Sequence, residues 1–556
     1  MDFLRRNHRA VFYFCWLLIN LIQAGTTELF DDEAYYWIYS QYPAWGYFDH
    51  PPMIGWLIKV GYSIFPNEFG LRLFIVILNA ATLYLIQSLT SKKNDLLFYS
   101  IAAGIAVAQI GGIIAVPDLP LLFFVALFFV LYKRFTENTN LVNTFLLSLS
   151  IALMLYSKYH GILIVFFTLL SNPKLFTKYQ TYIAAILALI LFAPHIYWQY
   201  SHGFPSVQFH LFERNAVSYR FSFTIEYIFG QLALAGPLIG WLLIWASFKY
   251  KTSSLTERAL KFSLVGVYSL FLISTLKGRA EANWTIPAFV GLIVLSHQYF
   301  AENATALKWL KRAAVVTVVI IFAARIFMIL DIKTSEKISK DEFHENKKDA
   351  EILKEVSGGL PIVVIDSYQK PSKQMFYAQQ TSFALNTPDY RRNNFNYWPI
   401  EDSLIGKPAY VVGPQYGVFK DSIPAAHYKG NLGLRVENYF SFSKIRIKDV
   451  REELVSSNKL QFTCKVETPE NYLPYFNQQP YDSCHIQITI YDKRGNILQY
   501  LMSTSSVKEL RQEQTSITVS VNHQLPKDKY TAKVGISSCI PGFPSLNSTG
   551  FKFIVP

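Results

Sequence analysis

Acidic side chains in two short segments have the chemistry of a general base. Asp31, Asp32 and Glu33 stand in succession in the first segment, and Asp118, flanked by prolines, stands in the second. A carboxylate can accept the proton of an attacking hydroxyl group as the oxygen forms its new bond. An acid at such a position can instead cap the N-terminus of a helix, and this alternative stays open for Asp118 and for one of the three consecutive acids.

Basic side chains stand at further positions between apolar segments. Lys158 lies in Ser-Lys-Tyr-His, Lys277 and Arg279 lie in Lys-Gly-Arg-Ala-Glu-Ala-Asn-Trp, and Arg214 lies in another loop. Ammonium and guanidinium groups bind phosphate, and fixed cations stabilise the charge that develops on a departing phosphate. Anchoring of helix ends at a membrane surface is the simpler alternative. A phosphate presented at the membrane surface would account for these cations.

Histidines are the remaining candidates for chemistry in the first part of the chain. His50 follows Asp49 in an Asp-His-Pro-Pro turn. The histidines could join Asp31 or Asp49 in a metal site, but none has the close paired spacing of a zinc motif. We therefore predict that no cofactor or metal is required, with a divalent cation as the alternative. The other histidines considered are His160, His195, His202 and His210.

The elements that must hold these residues are membrane helices. The chain has 556 residues, of which 51% are hydrophobic and 16% are charged, whereas soluble proteins carry about 25% charge. This composition excludes a disordered or fibrous protein, and nearly all uninterrupted apolar sequence precedes Asp331. We predict about eleven transmembrane helices, near positions 10–24, 71–90, 97–115, 119–132, 141–157, 161–172, 181–199, 225–248, 262–276, 282–299 and 313–330.

The distribution of basic residues predicts the orientation in the membrane. A formal net charge of +13 would suit a nucleic-acid-binding protein, but Lys and Arg occur in small groups between the apolar segments. One set of alternate loops is richer in these residues than the other, and the richer set faces the cytoplasm in membrane proteins. We therefore predict a cytoplasmic N-terminus, an extracytoplasmic C-terminal region and no nucleic-acid partner.

The final part of the chain has the sequence of a water-soluble region with two parts. Residues 331–440 alternate between helical and strand patterns, which predicts a small α/β lobe. Residues 441–556 alternate with period two in several short segments, which predicts a β-sandwich. Cys464, Cys484 and Cys539 lie there, and one disulfide or three free thiols fit the sequence equally. The expected domains are 1–330, 331–440 and 441–556.

Taken in order, the motifs of the first 330 residues resemble those of the GT-C superfamily of membrane glycosyltransferases. Within it, the resemblance is to the bacterial branch related to dolichyl-phosphate-mannose protein mannosyltransferases and to the aminoarabinose transferase of lipid A. Each motif alone has little specificity, whereas their combination is specific. The motifs are Asp32-Glu-Ala-Tyr-Tyr-Trp37, Tyr47-Phe-Asp-His-Pro-Pro52, Pro117-Asp-Leu-Pro-Leu121, Ser157-Lys-Tyr159, Pro194-His-Ile-Tyr-Trp198, His202-Gly-Phe204 and Arg279-Ala-Glu-Ala-Asn-Trp284.

The resemblance implies a polytopic enzyme of the bacterial cytoplasmic, or inner, membrane with the GT-C fold. Such an enzyme takes a sugar from a polyprenyl monophosphate at the outer face and passes it, with inversion, to an acceptor. The acceptor would be lipid A, another glycan or a protein, and membrane lipids would surround the enzyme. A narrower alternative is protein O-mannosyltransferase activity.

The resemblance also implies roles for particular residues. Asp32 takes the position of the base or acceptor-positioning acid, with Glu33 beside it, and Asp118 takes the second acidic position. Arg214 is included among the phosphate-binding residues on its loop location alone. The substrate-binding residues expected on this basis are Asp49, His50, Lys158, Arg214, Lys277, Arg279 and Glu281.

Two other classes of protein stay open. A flippase or transporter of lipid-linked sugars places ionisable groups near the bilayer midplane, whereas most charges here lie at the outer ends of the predicted helices. Arg325, in the last predicted span, is the main exception. The other class is an anchored binding protein whose C-terminal region carries the function, for which this many helices would be a large anchor.

Overall fold

The computed structural model describes residues 6–213, 219–330, 342–456, 458–510 and 512–556. The chain divides into two compact units, residues 1–344 and residues 345–556. The described part of the first unit is helical, and the β-strands lie in the second. The predicted further division near residue 440 stays a prediction.

The first unit contains sixteen α-helices within its described residues. Helices α2 and α3 fold within the segment between the first two predicted spans. The α-helices are α1 (His8–Thr26), α2 (Asp31–Gln41), α3 (Met53–Ile64), α4 (Glu68–Leu89), α5 (Asp95–Gly104), α6 (Ala106–Gln109), α7 (Asp118–Glu137), α8 (Leu141–Ser157), α9 (Gly161–Ser171), α10 (Tyr179–Ser201), α11 (Pro205–Gln208), α12 (Phe221–Ala235), α13 (Gly240–Lys249), α14 (Leu255–Ser274), α15 (Phe289–Glu302) and α16 (Ala304–Ile329).

Many of these helices have the length and composition of membrane spans. Within the described residues, α4, α7, α10, α16 and the segment Ala282–Glu302 are five helices long and apolar enough to cross a membrane. Three further apolar pairs are bent, by 87° between α1 and α2, by 79° between α5 and Ala106–Ile113, and by 93° between α12 and α13. If each bent pair is one span, the number rises to eight. The predicted multi-pass helical protein is confirmed, and the number eleven stays a prediction.

Two predicted continuous spans, 97–115 and 225–248, are broken helices. Helix α5 ends at Gly104, and α12 ends before Gly236, whose φ of +125° strains any residue with a side chain. A Cβ atom on Gly236 would lie 2.2 Å from the carbonyl oxygen of Gly104. The two breaks therefore pack backbone against backbone, which is a long-range contact that hydropathy cannot reveal.

Arg325, the charged residue of the last predicted span, is buried in α16. Its guanidinium donates hydrogen bonds to the side-chain oxygens of Gln109 (2.6 Å), Asn20 (3.0 Å) and Gln23. Neutral amide acceptors therefore satisfy a cation that would otherwise be costly in lipid. These bonds join α16 to α1 and to α6, the short helix after the first break.

The second unit begins with helix α17 (Asn346–Val356) and a mixed sheet. Strand β1 pairs in parallel with β2 and β3, and β5 is antiparallel to β3 and β4. Helix α18 (Gln369–Ala378) connects β1 to β2. The order β2-β1-β3-β5-β4 agrees with the predicted α/β pattern. The strands are β1 (Ile362–Ile365), β2 (Ser382–Leu385), β3 (Ala409–Pro414), β4 (Asp421–Ser422) and β5 (Asn431–Val436).

Two antiparallel sheets follow, as the period-two pattern predicted. One has the order β10-β7-β6, and the other has the order β12-β11-β8-β9 with β13 beside β11. Apolar residues from both sheets form one buried core, because alternate side chains of each strand face inward. Each of the four cysteines, all in described segments, is a free thiol. The strands are β6 (Arg446–Val455), β7 (Lys459–Glu467), β8 (His485–Tyr491), β9 (Ile497–Ser506), β10 (Gln514–Asn522), β11 (Lys529–Ile536), β12 (Ser545–Leu546) and β13 (Phe551–Ile554).

Candidate active site

Three motifs from separate parts of the sequence converge on the carboxylate of Asp118. Asp118 begins α7, Lys158 directly follows α8, and Asn283 lies in the turn before α15. The Lys158 ammonium donates to Oδ1 of Asp118 over 2.8 Å, and the Asn283 amide donates to Oδ2 over 3.1 Å. The two charged side chains are only 3% and 6% exposed. The structure therefore joins two residues to which the sequence assigned separate roles.

The pairing changes what Asp118 and Lys158 can do. Each oxygen of Asp118 already accepts one hydrogen bond, whereas an ammonium has three N–H donors and the described residues use one of those of Lys158. Lys158 therefore keeps donors for a substrate, and Asp118 holds it in place. Asn283 belongs to a motif quoted from the sequence, but it was not predicted as a site residue, because an amide carries no charge to single it out.

Glu33 lies in a second buried ion pair, with Arg72 of α4. The Arg72 guanidinium donates to both oxygens of Glu33, over 2.7 Å and 2.5 Å, and neither side chain is more than 1% exposed. The backbone N–H groups of Ala115 (2.7 Å) and Phe30 (2.9 Å) also donate to this carboxylate. Glu33 thus caps the first turn of α2 and is fully occupied, which favours a structural role over proton transfer.

Arg72 also shapes the turn that precedes α2. Its remaining N–H groups donate to the backbone carbonyls of Ala24 (3.1 Å), Thr27 (2.6 Å) and Glu28 (2.9 Å). Sequence reasoning did not single out Arg72, because it placed that residue inside an apolar span. An arginine at such a position needs a buried partner, and this was the available signal.

Asp31 and Asp32 lie in the same first turn of α2, and both are partly exposed. Glu33 connects this turn to Ala115, which stands just before Asp118 on the way into α7. Asp32, the predicted base, therefore lies in a turn that the hydrogen bond of Glu33 joins to the segment leading into Asp118. This connection places the two predicted acidic positions in one region of the first unit.

Asp49 and His50 lie in a cluster of aromatic and histidine rings. The hydroxyl of Tyr39 donates to Oδ1 of Asp49, and Nε2 of His210 donates to the Asp49 carbonyl over 3.0 Å. The ring of His50 lies 5.6 Å from that of Tyr36 and 6.4 Å from that of His210. Both predicted residues are thus held by neighbouring side chains. Arg214 lies outside the described residues.

His195 connects the loop of Lys158 to the loop after α2. Its Nδ1 donates to the carbonyl of Trp45 over 2.8 Å, so that Nε2 accepts from the hydroxyl of Tyr159 over 2.9 Å. Gln199 also donates to the Tyr159 hydroxyl over 3.2 Å. With both ring nitrogens engaged, His195 positions Tyr159 and Lys158 rather than binding a metal.

Lys277, Arg279 and Glu281 belong to the same segment as Asn283, but their side chains lie at the protein surface. The side chain of Arg279 is 62% exposed and lies 3.4 Å from Glu226 and 3.8 Å from Glu281. Lys277 is also exposed, and its ammonium pairs with no acid in the described part of the chain. The structure thus separates one buried cation, Lys158, from two accessible ones.

No metal centre is formed by the described residues. Within them, no group of three or more His, Cys, Asp or Glu side chains is placed to hold a metal ion. The predicted independence from metals stays a prediction.

One protein family and two individual proteins have sequences similar to parts of this chain. The family described as dolichyl-phosphate-mannose-protein mannosyltransferase matches residues 49–198. The chain is 23% identical over 298 residues to the lipid A galacturonosyltransferase RgtD of Rhizobium johnstonii, covering 50% of this chain and 62% of that protein. It is 25% identical over 288 residues to an uncharacterized protein of Aquifex aeolicus, covering 48% and 55%. The chain therefore spans less than two thirds of the length of either relative.

Solved structures match over a larger part of the chain. The apo structure of ArnT from Cupriavidus metallidurans has a TM-score of 0.57 at 10% identity, covering 78% of this chain and 98% of ArnT. The same enzyme bound to undecaprenyl phosphate has a TM-score of 0.56 at 11% identity, covering 77% and 98%. At this level of identity the likeness establishes the fold, and the fold predicted from the sequence is confirmed.

Proposed function

The chain has the fold of the GT-C superfamily, which its motifs resemble, and from this premise we propose that it is a membrane glycosyltransferase. Its donor is a sugar linked to a polyprenyl monophosphate. Its acceptor is a glycan or lipid, by analogy with the relative named as a lipid A galacturonosyltransferase. The ArnT structure with undecaprenyl phosphate supports the choice of donor.

The convergence of Asp118, Lys158 and Asn283 carries this proposal. A buried cation that keeps N–H donors for a ligand suits a phosphate, and it lies beside the segment that Glu33 links to Asp32. Charge stabilisation is strong where water is excluded, because a low dielectric strengthens the attraction between a fixed cation and a developing anion.

In the proposed reaction, an oxygen of the acceptor attacks the anomeric carbon as the bond from that carbon to the phosphate oxygen breaks. The configuration inverts, and the polyprenyl phosphate leaves with its additional negative charge. The buried ammonium of Lys158 stabilises this charge, and the exposed side chains of Lys277 and Arg279 contribute further positive charge. Asp32 accepts the proton of an attacking hydroxyl group, or positions the acceptor if that is itself a phosphate. No metal is required for these steps.

The proposed setting is the bacterial cytoplasmic membrane, with the N-terminus in the cytoplasm and the reaction at the outer face. The excess of Lys and Arg in alternate loops supports this orientation. Protein O-mannosyltransferase activity is the narrower alternative, since the matching family carries that name.

Substitution of Asp32 tests the proposal. We expect Asp32→Asn to lower kcat by roughly a hundredfold or more, because a positioned base contributes this much to proton transfer. The measurement is sugar transfer by purified protein from a polyprenyl-phosphate donor, with and without EDTA. Asp31→Asn is the matched control, since Asp31 lies in the same turn and is similarly exposed.

Full activity of Asp32→Asn would remove Asp32 from the mechanism. Movement of the intact donor across vesicles without any sugar transfer would instead identify a flippase. Loss of activity in EDTA, restored by a divalent cation, would contradict the metal-independent reaction.

A further inference from the structure

The mixed sheet of the second unit has a switch point at which its strand order reverses. The chain passes from β1 through α18 to β2 on one side of β1, and then returns to β3 on the other side. Ligands of α/β sheets bind beyond the carboxyl ends of the strands at such a point. Asp366 directly follows β1, and Tyr416 follows β3, so that both residues lie at this edge.

Thr387, which follows β2, holds the carboxylate of Asp366 and the backbone of Asp389 at this edge. Asp366 accepts hydrogen bonds of 2.7 Å from both the backbone N–H and the hydroxyl of Thr387. The backbone N–H of Asp389 donates in turn to the Thr387 hydroxyl over 3.3 Å. Asp366 has a φ of +54°, in the left-handed region that aspartate adopts more readily than most residues with a side chain. Each carboxylate oxygen has two lone pairs, so that both groups can accept further hydrogen bonds.

Two exposed tyrosine rings accompany these carboxylates. Tyr500 of β9 is 54% exposed, and its hydroxyl donates to Asp389, lying 3.0 Å from each carboxylate oxygen. Tyr416 is 63% exposed and stacks on Phe543 with 5.9 Å between the ring centroids. Tyr416 follows β3 and Asp366 follows the neighbouring β1, and desolvation, followed by the charges of Asp389 and Asp366, raises the pKa of Tyr416.

We propose that Asp366, Asp389, Tyr416 and Tyr500 form a carbohydrate-binding site in the second unit. A pyranose ring has one face of C–H groups, which packs on the electron-rich face of an aromatic ring. Its hydroxyl groups donate hydrogen bonds to carboxylates, and neighbouring hydroxyls match the two oxygens of one carboxylate. The four side chains supply both kinds of contact from four separate segments of the chain.

The charge of the site restricts the kind of sugar. Two carboxylates repel an acidic sugar, because like charges brought close together destabilise a complex. Neutral sugars and amino sugars are therefore the ligands that fit. The hydrogen bonds of Thr387 and Tyr500 hold both carboxylates before a ligand arrives, which reduces the entropy lost on binding.

Saturation-transfer NMR on the purified full-length protein at pH 7.5 tests the site. The probes are maltotriose, chitotriose and tri-galacturonic acid. We expect saturable binding of maltotriose or chitotriose, and none of the acidic trisaccharide. Tyr416→Ala and Tyr500→Ala should each weaken binding by roughly tenfold or more, which corresponds to the loss of about one aromatic contact.

Two further variants keep the test independent of folding. Asp389→Asn retains the size of the side chain and removes its charge, and it should weaken binding while allowing the acidic probe to approach. Leu454→Ala alters an exposed residue of β6, in the sheet β10-β7-β6, which contributes no residue to the proposed site. This variant should bind as the wild type does. Failure of both neutral probes to bind, or unchanged binding by both tyrosine variants, would overturn the proposal. Neither result depends on sugar transfer by Asp32→Asn, so that this proposal and the proposed function can fail separately.

Discussion

At the scale of single residues, the first unit contains two buried ion pairs of different kinds. In the pair of Glu33 and Arg72, backbone groups and the partner charge occupy the carboxylate and all five guanidinium donors. In the pair of Asp118 and Lys158, the ammonium keeps donors for another group. A buried pair costs desolvation, so its presence is poor evidence of stabilisation. The saturated pair organises the chain, whereas the unsaturated pair is suited to a substrate.

Removing one partner of the saturated pair should be strongly destabilising. We expect Arg72→Met to lower the free energy of unfolding by about 3–5 kcal/mol, because Glu33 is left buried and uncompensated. The double variant Glu33→Gln with Arg72→Met should recover part of this loss. Thermal unfolding in detergent, followed by circular dichroism, provides the comparison. Equal stability of the two variants would mean that the charge of Glu33 is not the cause.

Asp366 should make the local stability of the second unit depend on pH. Burial is the largest cause that raises its pKa from the ordinary 3.8 to about 6, the charge of Asp389 adds to the rise, and the hydrogen bonds of Thr387 oppose it. Between these two values the folded state binds more protons than the unfolded state. The free energy of unfolding therefore falls as the pH rises through this window.

The expected change is about 1–2 kcal/mol, because solvent screens part of the roughly 1.4 kcal/mol that each pKa unit is worth. Asp366→Asn should remove this dependence of the free energy of unfolding on pH. Hydrogen exchange of the amides of β1 and β2 at pH 4 and pH 7, corrected for intrinsic rates, measures the difference in the full-length protein. A steeper or unchanged dependence in the variant would rule out Asp366 as its source.

At the scale of elements, the breaks in α5/α6 and α12/α13 determine how the first unit packs. Gly104 and Gly236 let two backbones meet where side chains would keep them apart. Arg325 and Gln109 then fix the short helix beyond the first break, and Glu33 fixes Ala115 just after it. The segment leading into Asp118 is thus held along its length.

Gly236→Ala should therefore cost more than a substitution at an ordinary turn. The added methyl group meets both a disfavoured φ and the carbonyl of Gly104, and we expect a loss of more than about 2 kcal/mol in stability. Gly359→Ala is the control, since Gly359 has a φ of +76° but no atom within 4 Å of its Cβ position. A similar fall in melting temperature for both variants would show that only the backbone conformation matters.

At the scale of the whole molecule, the predicted parts of the fold were those that depend on local composition. Hydropathy located the long apolar helices of the first unit, and period-two alternation located β6, β7, β8, β10 and β11 of the second. The bends were not predicted, because they depend on a contact between Gly104 and Gly236 that windowed hydropathy cannot register. In the site, the motifs identified Asp118 and Lys158 separately. Their pairing, and the pairing of Glu33 with Arg72, became visible only when distant segments were brought together.

The orientation of the whole chain is tested by fusions. An alkaline phosphatase fused after Pro556 should be active, because we expect that end outside the cytoplasm. A fusion after Lys251, in a basic loop, should be inactive in the phosphatase assay and fluorescent when the reporter is green fluorescent protein. The reverse pattern would invert the proposed topology and move the reaction to the other face.

The contact between Gly104 and Gly236 also has a consequence for biosynthesis. The ribosome makes Gly104 well before Gly236, so the packing surface of the first break is not available until more than a hundred further residues have been translated. The hydrogen bond between Asn283 and Asp118 forms later still, because Asn283 is translated after both breaks. The cluster around Asp118 therefore forms only after the segments on both sides of the two breaks have been made.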